Sequence, residues 1–102
     1  MYAMTGKLIA QNGKRDELVA ILKQAAELVG VFPECQSYII GEDISNDAHV
    51  WVFEIWSNRQ AHDSSLGDDR VRSLIAQAKP LLAAAPDGAE LRVSGGYGIP
   101  SQ

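Results

Sequence analysis

Residues 50–56 read Val-Trp-Val-Phe-Glu-Ile-Trp, a run of β-branched and aromatic residues that only Glu54 interrupts. Such a run has the composition of a strand covered on both faces. Side chains alternate along a strand, so Val50, Val52, Glu54 and Trp56 share one face while Trp51, Phe53 and Ile55 share the other. This strand has to be buried twice.

A helical period appears upstream. Over residues 14–29, Leu18, Ile21, Leu22, Ala25, Leu28 and Val29 recur at three- and four-residue spacing, with Asp16, Glu17, Lys23, Gln24 and Glu27 on the opposite side. The pattern predicts an amphipathic helix with a solvated charged face. Gly30 supplies its stop signal and Pro33 lies just past it.

Shorter elements fill the rest of the chain. Residues 2–10 read as a first strand in which Gly6 allows a bulge or a close backbone approach, and Asn12-Gly13 marks the turn after it. Residues 36–41 form a second strand, joined by the polar stretch 42–47 into a hairpin with the strand that His49 opens. Ser57 followed three residues later by Gln60 has the spacing of a capping box and predicts a helix start. Gly67 interrupts that helix, and Asp68-Asp69 begins a second piece whose period runs through Val71, Leu74, Ile75, Ala78, Leu81 and Leu82. Pro86-Asp87-Gly88 is turn chemistry, residues 91–94 leave room for a last strand, and Gly95-Gly96-Tyr97-Gly98 follows. No helix comes after those glycines to present amides to a phosphate, so the tail reads as a bent chain end crossing a partner subunit.

The order strand, helix, strand, strand, helix, strand is that of an α+β, ferredoxin-like βαββαβ domain, expected here to span residues 1–102. Its helices cover one face of the sheet. Trp51, Phe53 and Ile55 remain on the other, and the sheet of a second copy is their natural cover, which predicts a homodimer.

Composition narrows the function classes. A chain of 102 residues buries one modest core, and nine Lys and Arg against thirteen Asp and Glu, without a basic cluster, disfavour nucleic acid. No apolar run approaches a membrane span and the N-terminus lacks a signal-peptide pattern, so the expected location is cytoplasmic. No Cys-His spacing suggests a metal site, and the single Cys35 reads as an inert small hydrophobe.

Several segments together resemble the antibiotic biosynthesis monooxygenase family. They are Gly13-Lys14 before the first helix, Pro33-x-Cys35 before the second strand, Glu54-x-Trp56 ending the third, and Ala61-His62-Asp63-x-Ser65-Leu66. The run from Arg72 through Ala78-x-Pro80-Leu81 belongs with them. The resemblance covers nearly the whole chain and implies a dimeric α/β barrel with a pocket between each sheet and its helices. Family members include cofactor-free oxygenases of quinols and anthrones, haem-degrading enzymes and an isomerase of a small signalling metabolite. Trp56 matches the pocket tryptophan and Glu54 the carboxylate two positions before it. Ser65 stands where many members carry a histidine, and His62 matches the histidine of a narrower subgroup. Gly6 stands where haem-degrading members carry an asparagine, which disfavours haem breakdown.

These matches define the candidate site. His62 and Glu54 are the expected catalytic pair, with Trp56, Tyr38, Ser65 and Tyr97 expected to bind substrate and no metal or cofactor expected. Glu54 on a covered strand must be paired or hydrogen-bonded. Arg59, Arg72 and Lys7 are the cations at hand, and orienting His62 is the alternative role. A histidine beside a carboxylate at a cleft mouth is the usual layout of a general base, against the plainer reading of His62 as a packed or surface residue. The function expected is oxidation of a small quinol- or anthrone-like aromatic by O2. A non-catalytic dimer that binds or senses a hydrophobic ligand is the alternative, and an isomerase using His62 and Glu54 is a third reading.

Overall fold

In the computed structural model, which describes residues 1–99, alternation and helical period both resolve into the expected elements. They are β1 (Tyr2–Ile9), α1 (Arg15–Val29), β2 (Cys35–Glu42), β3 (His49–Trp56), α2 (Arg59–Ser65), α3 (Asp69–Ala78), a 3-10 turn (Lys79–Leu81) and β4 (Asp87–Arg92). The strands form one antiparallel sheet in the order β2-β3-β1-β4, the ferredoxin-like arrangement. Among the described residues no helix is long and apolar enough to cross a membrane.

Register sets what each face carries. Glu54 pairs with Met4 on β1 and with Tyr38 on β2, while Phe53 pairs with Thr5 and Ile39. Val50, Val52 and Trp56 are buried beneath the helices. On the outer face Ile39, Trp51, Phe53 and Leu91 keep large apolar surfaces in solvent, since no element among the described residues covers them.

The core beneath the helices is divided. One cluster gathers Leu18, Val19 and Leu22 of α1 with Val50, Val52 and Ala78. The other gathers Tyr2, Val29, Trp56 and Val71. Tyr38 packs against both.

Local chemistry departs from the sequence expectations at three points. Helix α2 is capped by Asn58, whose side chain accepts from the Ala61 amide at 2.8 Å, and not by Ser57. Ser57 still belongs to the sheet end: its amide donates to Glu34 O at 2.8 Å and its hydroxyl accepts from Gln36 Nε2 at 3.0 Å. Strand β4 begins at Asp87, inside the stretch read as a turn, because residues 87–92 pair with β1. The close backbone approach lies at Gly88 rather than Gly6: a Cβ on Gly88 would stand 2.7 Å from Thr5 O, whereas one on Gly6 would meet only ordinary contact. The bulge in the sheet falls between Cys35 and Ser37.

The turn and cap at two other points agree with the sequence. Gly13 takes φ 75°, the left-handed conformation that favours glycine. Asp68 caps α3 by accepting from the amides of Arg70 and Val71.

Candidate active site

The two halves of the core are separated by a cavity of about 320 Å³ between the sheet and helices α1 and α3. Most of its wall is aliphatic, with Met4 and Leu8 from β1, Leu22, Ala25 and Val29 from α1, and Val71 and Leu74 from α3. Those α1 and α3 residues are the same stripes that the helical period assigns to the core. Their spacing gave no sign that the stripes stand apart.

Tyr38, Glu54, His62, Ser65 and Lys79 bring polar atoms to this cavity. Tyr38 and Glu54 are cross-strand partners, so they present their side chains on the same side of the sheet. Glu54 Oε1 accepts from Trp56 Nε1 at 3.0 Å. No ion pair to Glu54 forms among the described residues: Arg59 engages Asp63 and Glu90, Lys7 lies over the Trp51 ring on the outer face, and Arg72 is exposed on α3. The salt bridge expected for Glu54 is therefore absent, and an indole N–H takes its place. Burial raises the Glu54 carboxyl above its ordinary value, while the indole donor and a positive charge on His62 pull it back.

The Tyr38 hydroxyl has no hydrogen-bond partner among the described residues. Burial, and then the neighbouring Glu54 carboxylate, push its pKa far up, so it faces the cavity as a neutral phenol. Cys35, at the start of β2, is likewise raised by burial and by Glu54, which keeps the thiol protonated and inert.

His62 sits on α2 and is 5% exposed. Its ring meets Trp56 edge-on at 5.8 Å and Tyr2 at 5.3 Å between centroids. Nδ1 lies 2.9 Å from Asp63 Oδ1. Nε2 makes no protein hydrogen bond, yet no fully buried side-chain nitrogen among the described residues lacks a partner. Nε2 is therefore not fully buried, and His62 is among the residues that line the cavity. Ser65 Oγ donates to His62 O at 2.6 Å, which closes the last turn of α2 and occupies the hydroxyl.

Trp56 and Tyr97 stand elsewhere. Trp56 is 1% exposed and borders the cavity only from behind, through Glu54 and His62. Its far side meets a separate open groove with Phe32, Asn58 and Ser65. Tyr97 is fully exposed in the tail and does not join the cavity. Among the described residues no group of three or more His, Cys, Asp or Glu stands together to hold a metal ion.

The family model described as antibiotic biosynthesis monooxygenase matches residues 1–77. The chain belongs to the antibiotic biosynthesis monooxygenase family. The match runs from β1 into α3 and takes in Tyr38, Glu54, Trp56 and His62. A solved protein from Chloroflexus aurantiacus that carries the family's name is 35% identical; 97% of this chain and 98% of that one are covered, with a TM-score of 0.86. A protein of the same description from Deinococcus radiodurans is 22% identical over 99% and 100% of the two chains, with a TM-score of 0.84. SnoaB from Streptomyces nogalater, a cofactor-independent oxygenase, is 9% identical over 95% and 96%, with a TM-score of 0.83, and shares the fold. No curated protein matches the chain by sequence.

Proposed function

We propose that this family member is a cofactor-independent oxygenase of a small hydroxyaromatic compound, with His62 as the proton acceptor and a homodimer as the working unit. The observation that carries this reading is the meeting of Tyr38, Glu54 and His62 in a cavity of about 320 Å³ whose other walls are almost wholly aliphatic. Small-molecule sites have this composition, a largely apolar wall with a few convergent polar groups. A dry cavity of about 150 Å³ takes benzene, so this volume suits two or three fused rings. The cofactor-independent oxygenase among the structural neighbours supports the reaction class.

In this reading His62 Nε2 removes a phenolic or enolic proton, and the Tyr38 hydroxyl donates to an oxygen of the bound ring. The resulting anion is electron-rich and passes one electron to O2. Recombination at a ring carbon forms a carbon–oxygen bond, and the peroxide takes back the proton held by His62; loss of the hydrogen on that carbon then breaks the O–O bond, so the proximal oxygen stays as the new carbonyl and the distal oxygen leaves as water. A hydroquinone thus gives a hydroxyquinone plus water, and an anthrone gives an anthraquinone plus water. The substrate supplies all of the electrons that reduce O2. The aliphatic walls exclude water from the anion and its oxygen adduct.

The homodimer rests on the outer sheet face, where Trp51 and Phe53 would pack against the same face of a second copy. That arrangement is isologous, so one patch serves both partners.

Oxygen uptake with a panel of hydroquinones, naphthohydroquinones and anthrones, run with and without chelator, tests the proposal. One O2 consumed per substrate, with one atom of labelled oxygen entering the product, is the expected result. Tight binding of a panel member with no uptake would make the chain a sequestering or sensing protein instead.

A further inference from the structure

The carboxylate that faces His62 Nδ1 is not Glu54 of the cavity but Asp63, the next residue along α2. Neighbouring side chains on a helix normally diverge, yet Asp63 Oδ1 stands 2.9 Å from Nδ1. Two aromatic rings hold the imidazole in place, Tyr2 at 5.3 Å and Trp56 at 5.8 Å. Asp63 is fixed from its other side. Its Oδ2 lies 3.5 Å from Arg59 Nε, and the same Arg59 Nε lies 3.2 Å from Glu90 Oε1 on β4. Glu90 Oε1 in turn accepts from the Tyr2 hydroxyl at 2.9 Å, and the Tyr2 ring is the one against His62. The contacts form a closed circuit through β1, α2 and β4.

We infer that Asp63 is a positioning residue: it accepts the Nδ1–H of His62, fixes that tautomer, and so leaves the Nε2 lone pair directed at the cavity. A carboxylate that orients an imidazole in this way selects which nitrogen can take a proton. The inference rests on the proposed role of His62 as the base. Asp63 and Arg59 are both more than half exposed, so their pairing adds little to stability. Its effect is orientation. The other groups around the ring are Tyr2 of β1, Glu54 and Trp56 of β3 and, behind Asp63, Arg59 of α2. Among the described residues Glu54 makes no hydrogen bond to the ring; its Oε1 accepts from Trp56. The two carboxylates therefore divide the work, one behind the imidazole and one in the cavity.

The test reads the tautomer directly. In protein labelled with ¹⁵N in the histidine rings, long-range ¹H–¹⁵N spectra of the neutral form should show His62 protonated at Nδ1, with His49, the other of the chain's two histidines, as internal reference. Asp63→Ala should move the proton to Nε2 or give a mixture, while Asp63→Asn, which keeps an acceptor oxygen, should hold it at Nδ1. With an active substrate, kcat in Asp63→Ala should fall at least about tenfold, short of the ~10²- to 10⁴-fold cost of losing a base, with KM little changed. Asp63→Asn should recover most of that loss. An Nε2–H tautomer in the unsubstituted protein, or a tautomer unmoved in Asp63→Ala, overturns the inference. A tautomer that moves while turnover does not would uphold the role of Asp63 and remove His62 from the chemistry.

Discussion

Trp56 Nε1 donates to Glu54 Oε1 at 3.0 Å, which ties an otherwise unpaired carboxyl at the cavity to the most deeply buried large ring of the sheet. One neutral donor offsets desolvation only in part, and the Glu54 pKa stays above its ordinary value of 4.5.

That shift has a definite sign. The folded protein holds the Glu54 proton more tightly than the unfolded chain does, so the group's stabilising contribution is complete below about pH 4.5 and is lost as pH rises through the folded value. Glu54→Gln never ionises and can still accept from Trp56. Denaturant midpoints should be higher for the variant than for the parent at pH 8, and the two should converge near pH 4. An equal difference at both values would show that Glu54 is not desolvated.

His62→Ala should lower kcat for the active aromatic by about 10²- to 10⁴-fold, the usual contribution of a positioned general base. His62→Gln fills more of the space and controls for collapse of the site. Stopped-flow turnover of both variants is the measurement, and an unchanged rate would transfer the role of proton acceptor to Glu54.

Phe53→Glu places a charge at the centre of the outer face and should convert a dimer into monomer or aggregate. Burial of that face contributes roughly 25 cal/mol per Å² of apolar area before association costs. Sedimentation at micromolar concentration reads the outcome. A well-folded monomer of the unsubstituted chain would remove the homodimer.

Ala25→Leu extends into the cavity from α1. The added carbons enter empty space, so stability should hold or rise slightly, while affinity for a fused-ring ligand should fall by tenfold or more. Calorimetric titration beside thermal unfolding separates the two effects.

Gly88→Ala should destabilise by roughly 1–3 kcal/mol, because its Cβ would meet a backbone oxygen that cannot rotate away. The loss appears in the unfolding midpoint, and a neutral result would mean that β4 can shift along β1 at little cost.

What was legible in the chain follows the range of the forces involved. Alternation through residues 50–56 and the period of α1 are local, and both placed their faces correctly. The hairpin of β2 and β3 and the break of the second helix at Gly67 were equally readable. Strand β4 was placed too late, because its start is set by pairing with β1, about eighty residues away in sequence. The α2 cap moved by one residue because Ser57, an equally good cap by type, is held by Glu34 and Gln36 of the neighbouring strand. At the site, Tyr38, Glu54, His62 and Ser65 come together, whereas Trp56 braces from behind and Tyr97 lies in solvent. Asp63 was in plain view beside His62. Adjacency on a helix argues against contact, and only the rings of Tyr2 and Trp56 turn the imidazole toward it.

The placement of Trp51 and Trp56 on opposite faces of β3 gives the chain two separable optical reporters. Trp51 is 44% exposed and donates to Asp43 at 3.2 Å, so a soluble quencher reaches its emission until something covers the outer face. Trp56 is only 1% exposed and so nearly inaccessible to a soluble quencher, but its indole N–H touches a carboxyl at the cavity, and its emission should follow that group's ionisation and any guest bound beside it. Quencher access to Trp51 and the unquenched emission of Trp56 can therefore read self-association and ligand uptake as separate signals in one unlabelled sample.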